Sequence, residues 1–148
     1  MSSVLQEVDT AVSVCFVVKL DDVDLGVFSS CEGLGCEVVM ETREEGGNNS
    51  FVWQLPSRLK YPNVKLTRPL GKDTEKIAAW ISSMAAGYTR RTATIEAMST
   101  DGQVVAQWGL LDVVPVRWSG PSLNADQPKV VTETIEIAHH GFLPTQGA

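Results

Sequence analysis

The chain has 148 residues, a length that fits one domain able to bury roughly 70% of its unfolded surface without disulfides or metal. Apolar residues make up 43% and charged residues 20%, which argues against an intrinsically disordered chain. The net charge is −6, and no basic cluster is longer than Arg90-Arg91, which argues against a nucleic-acid-specific surface.

In chain order, residues 1–12 read as a flexible polar arm, residues 13–143 as one β domain, and residues 144–148 as a C-terminal tail. The opening MSSVLQEVDT has neither a basic n-region nor an apolar run, so no signal peptide is expected. No apolar stretch approaches the ~18 residues of a membrane span. Ser13–Leu20 is rich in Val and Phe and reads as a strand, with a turn at Asp21-Asp22. Leu25–Ser30 reads as one short second strand. In Cys36–Arg43 the apolar side is Cys36, Val38 and Met40 against Glu37, Glu41 and Arg43, the alternation of a half-buried strand.

Glu44–Ser50 is the strongest break. Its tip, Glu44, Glu45, Gly46, Gly47, Asn48 and Asn49, supplies residues that accept positive φ, so the flanking strands form an arm-like hairpin. Phe51–Leu55 resumes strand character. Pro56 and Pro62 bracket a basic connector, SRLKY, and Asn63–Arg68 alternates again.

Asp73–Ala86 is the one helix expected. Asp73 is placed to cap it with a side-chain bond to a free N–H, Glu75 sits in the first turn where the helix dipole favours an acid, and Gly87 stops it. Ile77, Trp80, Ile81 and Met84 fall at helical spacing and form one apolar stripe.

The rest is β. Arg91–Met98 sets Ala93, Ile95 and Ala97 against Thr92, Thr94 and Glu96. Asp101-Gly102 centres a hairpin turn. Val104, Ala106, Trp108 and Leu110 share a face, Pro115 breaks the run, and Val116–Trp118 is an edge piece. Val130–His139 sets Val131, Ile135 and Ile137 against Thr132, Thr134 and Glu136. Seven or eight short strands and one helix make a mainly β fold: two packed antiparallel sheets in a sandwich or barrel with a flanking α-helix.

No catalytic, metal or cofactor constellation stands out. Cys15, Cys31 and Cys36 have neither CxxC nor zinc spacing and read as reduced thiols. His139 and His140, adjacent at a strand end, point to opposite faces and cannot both hold one metal in an unbroken strand. Gly26, Gly33 and Gly35 do not form a phosphate loop, because the GLG pattern is not G-x-G-x-x-G and no helix follows it. The acids of 41–45 sit beside a Gly/Asn tip and read as a solvated loop rather than a catalytic pair.

Taken in order, "SSCEGLGCEVVMETREEGG", "LPSRLKYPNVKLTRPLGKDTEKIAAWISSM", the "DG" hairpin, "VVAQWGLLDVVPVRWSGPSLNA" and "VVTETIEIAHHGF" resemble the tail-tube protein family of contractile phage tails and extracellular contractile injection systems. The resemblance covers about residues 13–143. It implies homo-hexameric rings, stacked into a hollow tube inside a contractile sheath, with baseplate and tube-initiator proteins as further partners and protein cargo in the lumen. It implies assembly in the bacterial cytoplasm and release within a phage tail or phage-tail-like particle. Under it, the 44–49 tip becomes the ring-stacking arm, and Thr92, Thr94, Glu96, Thr132, Thr134 and Glu136 become candidates for the channel lining. Three other readings stand beside it: a baseplate-proximal tube initiator, a monomeric small-molecule-binding β-barrel, and an enzyme built on Cys and His.

Overall fold

The computed structural model describes residues 14–21, 23–43, 52–87, 89–120 and 131–144. The strands among them are β1 (Val14–Leu20), β2 (Asp24–Phe28), β3 (Ser30–Glu32), β4 (Glu37–Arg43), β5 (Trp53–Lys60), β6 (Val64–Pro69), β7 (Arg91–Ser99), β8 (Val104–Ser119) and β9 (Thr132–Ala138). Helix α1 (Thr74–Ser83) and a 3-10 turn (Met84–Ala86) separate β6 from β7.

Seven strands pair antiparallel in the order β2-β1-β7-β8-β9-β6-β3. The 16-residue β8 makes this one sheet into two layers. Its first part pairs with β7 and its last part, from Val114, pairs with β9. Between them an extra residue is accommodated and Asp112 takes φ 54°, a left-handed value that Asp tolerates better than most residues. Bulges of this kind turn strands around corners. The ends of the folded sheet then meet: β2 and β3 are consecutive in the chain yet lie at opposite ends of the strand order, and Ser29 N donates to Thr67 O at 2.9 Å.

Period-two alternation builds the core between the layers. Ala93 and Ile95 of β7, Val64 and Leu66 of β6, and Ile135 and Ile137 of β9 are buried, while their neighbours face out. Val18, Phe28 and Leu110 complete it from β1, β2 and β8. Each such Val, Leu, Ile or Phe side chain stabilises the fold by ~1.5–3 kcal/mol. Helix α1 adds Ile77 and Trp80, both buried, with Ile81 packed against them and Met84 half-buried.

Several local expectations change. The second strand is two strands, because Ser29 is where the chain passes from one layer to the other. The basic connector is part of β5, which runs through Pro56 to Lys60; the register slips between Val39 and Met40, and Ser57 Oγ donates to Val39 O at 2.8 Å. Proline is tolerated at such an irregularity in an edge strand. Pro115 likewise leaves β8 unbroken up to Ser119. The helix is α only to Ser83, and Asp73 makes no side-chain cap bond; its carboxylate instead pairs with Lys76 at 3.1 Å.

Candidate functional site

β4 and β5 form a two-stranded ribbon outside the seven-stranded sheet. It continues the β3–β6 hairpin: Glu32 opposes Lys65 on one side of a break and Glu37 opposes Lys60 on the other. The break is a sharp crossing. Gly33 has φ 94°, and a Cβ there would lie 2.1 Å from Asn63 O, so only glycine lets the two backbones pass. On the other strand, Tyr61 packs against His139 and Phe142, with ring centroids 5.5 and 5.8 Å away. His139 Nδ1 accepts the Gly141 N–H at 3.1 Å. Burial favours the neutral ring and pushes the His139 pKa down, against weaker support for the charged form from the Gly141 and Pro62 backbones.

The ribbon's apolar face is present but is not half-buried within this chain. Cys36 is exposed, Val38 and Met40 are 46% and 44% exposed, and Leu59, opposite Val38, is 53% exposed. Val52, Trp53 and Leu55 are also exposed. Alternation therefore identified a face that needs covering, and nothing in the described chain covers it. The Glu44–Asn49 tip lies outside the described residues.

The polar positions of β7 and β9 occupy the outer faces of the two different layers. Outside the β8-β9-β6-β3 layer, Ser30, Thr67, Thr134 and Ser119 form one row across all four strands, with Thr67 and Thr134 hydroxyls 3.1 Å apart. The next row is Glu32, Lys65, Glu136 and Arg117, which alternates in sign; Lys65 Nζ lies 3.8 Å from Glu136 Oε1. Thr132 opposes Pro69 on the other side of the hydroxyl row. The outer face of the other layer is mixed: Val27, Val17, Glu96 and Gln107 form one row, and Lys19, Thr94 and Gly109 the next. Thr92 N is held by Asp21 Oδ2 at 3.1 Å.

One buried polar cluster was not anticipated. Arg68 Nε donates to Glu133 Oε1 at 2.7 Å, and both side chains are almost wholly buried. Glu133 also accepts from the Thr74 hydroxyl at 3.1 Å and from Trp118 Nε1 at 3.0 Å. Arg68 Nη1 donates to Leu25 O, and its guanidinium lies 4.3 Å from the Phe28 ring centroid. The cluster ties β2, β6, β8, β9 and α1 together.

The geometry weakens two of the other readings. The space between the layers is filled by side chains such as Phe28, Leu66, Ile95 and Ile135, so the described interior is a packed core rather than a ligand chamber. Burial, and then the Glu32 charge, push the Cys31 thiol up to about 11, which keeps it protonated and a poor nucleophile. His139 is buried and His140 exposed, so the pair is split across the strand end. Among the described residues no group of His, Cys, Asp and Glu could hold a metal ion, and no helix is long and apolar enough to cross a membrane.

Solved structures share this fold. A chain from the sheath-tube complex of an extracellular contractile injection system, PVC, in the extended state, superposes with TM-score 0.76 at 19% identity, covering 97% of this chain and 95% of that one. A chain from the anti-feeding prophage (AFP) baseplate gives 0.73 at 18% identity, covering 88% and 91%. Hcp1 from Salmonella typhimurium gives 0.53 at 11% identity, covering 86% and 82%. No curated protein sequence matches the chain. The family described as T4-like virus tail tube protein gp19 matches over residues 12–143, nearly the whole β domain, and the chain belongs to it as a structural tube subunit.

Proposed function

We propose that this chain assembles into hexameric rings that stack into the hollow inner tube of a contractile injection particle. The observation that carries this reading is the β4–β5 ribbon: two strands with exposed Val38, Met40 and Leu59 on one face and no covering element among the described residues. Among the described residues no third strand pairs with the ribbon, and unpaired strand edges are a liability in a monomer that a ring of neighbours removes. Repeating a head-to-tail contact between rings generates a filament.

The lumen wall is the outer face of the β8-β9-β6-β3 layer, which carries Thr132, Thr134 and Glu136. The two layers pack back to back, so their outer faces point in opposite directions and one channel can be lined by only one of them. The hydroxyl row and the sign-alternating charge row give a wetted, nearly neutral wall to which passing cargo does not adhere. The face with Thr94, Glu96 and the exposed Val27 then looks outward, toward a sheath. The Glu44–Asn49 tip, at the end of the ribbon, contributes to stacking. The tube is passive: contraction of the sheath drives it from the baseplate through a target envelope, with protein cargo inside. Synthesis and assembly take place in the bacterial cytoplasm, and the particle works outside the cell.

Sedimentation velocity over a range of concentrations tests this reading. Ring-sized and larger species that grow with concentration are expected. A single monomer boundary at every concentration overturns it.

A further inference from the structure

A groove of about 270 Å³ runs between α1 and the β1–β2 turn. Its floor is apolar, formed by Leu20, Val23, Ala79 and Trp80, and two cations, Lys76 and Arg91, stand at its rim. Lys76 already pairs with Asp73 at 3.1 Å, which leaves its other ammonium protons for a second acceptor. Such a groove fits a short segment that combines aliphatic side chains with carboxylates.

The chain itself contains one. Residues 4–9 read Val-Leu-Gln-Glu-Val-Asp, three aliphatic residues with two acids, and residues 1–13 hold no Lys or Arg. β1 begins at Val14, beside Ser99 at the hairpin-turn end of β7, and finishes at Leu20, beside Ala93 at the groove end. Exit and groove are thus separated by the length of β1, about 20 Å for six residue steps. To reach its own groove the segment must reverse direction at the start of β1. Both edges of β1 are occupied, by β2 and β7, so a returning strand finds no edge to pair with. In a head-to-tail stack along β1, by contrast, the end at which β1 begins meets the groove end of the next copy.

We infer that this groove receives residues 4–9 of a second copy of the chain, so that an acidic-apolar segment from one ring is held by the helix of the next. This rests on the stacked-ring reading, and the experiment separates the two. Full-length protein with Cys15, Cys31 and Cys36 replaced by Ala is made in two forms, one with Leu5→Cys and one with Ala79→Cys. The forms are mixed and oxidised. A disulfide-linked dimer of the two forms is expected, and it can arise only between copies. No dimer overturns the inference. So does a fast-migrating cross-linked monomer from the Leu5→Cys/Ala79→Cys double variant, which places the segment in its own groove.

Ala79→Glu tests the same contact without new cysteines. Position 79 is an exposed helix site, so the fold survives, and the new acid repels Glu7 and Asp9. Pelletable tubes are expected to fall about tenfold, a loss near 1.4 kcal/mol per contact. Lys76→Glu is expected to do the same, and Glu7→Lys to restore tubes in that background. Undiminished tubes in both single variants overturn the inference while leaving the tube reading intact. If the unaltered protein makes no rings or tubes, the tube reading fails, and the mixed cross-link still decides the docking.

Discussion

Arg68 and Glu133 face each other across the β6–β9 ladder, with Arg68 Nε 2.7 Å from Glu133 Oε1 and both side chains removed from water. They end the two core-facing tracks Val64–Leu66–Arg68 and Ile137–Ile135–Glu133. A buried charge with its partner removed is costly, so Arg68→Met is expected to lower stability by about 3–5 kcal/mol. Arg68→Met with Glu133→Leu should be milder than Arg68→Met alone, because no uncompensated charge remains. Urea denaturation of the three proteins checks this; a double variant as unstable as the single one contradicts it.

Trp80 is 6% exposed and fastens α1 to the core beside Ile77. Trp80→Ala removes the largest side chain on the helix stripe and should cost about 3–5 kcal/mol. Ala78 is exposed on the same helix, and Ala78→Ser should change stability by less than about 0.5 kcal/mol. Thermal unfolding of both variants distinguishes an anchored helix from a loosely attached one.

Gly33 makes the crossing from which the ribbon departs. Ala at this position meets both a φ of 94° and a contact of 2.1 Å with Asn63 O. The expected loss exceeds about 1 kcal/mol. Gly35, with nothing within 4 Å of its would-be Cβ and no positive φ, is the control: Gly35→Ala should be nearly neutral. Equal effects at the two positions would remove the crossing as a constraint on the ribbon.

His139 gives a pH dependence of definite sign. Its folded pKa lies below the ordinary 6.5, chiefly through burial, so the unfolded chain takes up a proton more readily than the folded one. Its destabilising effect is absent well above the unfolded pKa. It grows as the pH falls through that value and levels off below the folded pKa. Denaturant midpoints measured from pH 8 to pH 5 should fall more steeply in the natural protein than in His139→Phe, which keeps a ring beside Tyr61 and Phe142 but cannot titrate. Parallel curves would contradict this.

Much of the fold was legible in the sequence because period-two and helical spacing report directly on which face meets a core. The alternations around Ile95 and Ile135 and the Ile77/Trp80 stripe correspond to buried positions. The Val38/Met40 alternation is also present, but a pattern of side chains does not say what covers it, and none of the described residues does. Asp112 carries no Gly or Pro signal, so the corner at which β8 changes layers could not be placed. Pro56 and Pro115 read as breaks because proline forbids a ladder bond, yet edge and bulged positions need none. The Arg68–Glu133 pair did leave a trace: opposite charges that end two apolar tracks. That signal becomes specific only once β6 and β9 are known to be neighbours.

The ribbon tip makes a clean test of assembly against folding. Replacing Gly46-Gly47-Asn48-Asn49 by a two-residue turn should leave the unfolding transition of the domain intact and abolish stacking into tubes. Tubes of unchanged length would remove the arm's assigned role.

Negative-stain electron microscopy of the purified protein, with end-on and side views collected at high concentration, shows whether the chain forms stacked hexamers. Six-fold rings with a central hole, and hollow tubes with a regular axial repeat, are the predicted result. A uniform field of monomers would contradict it.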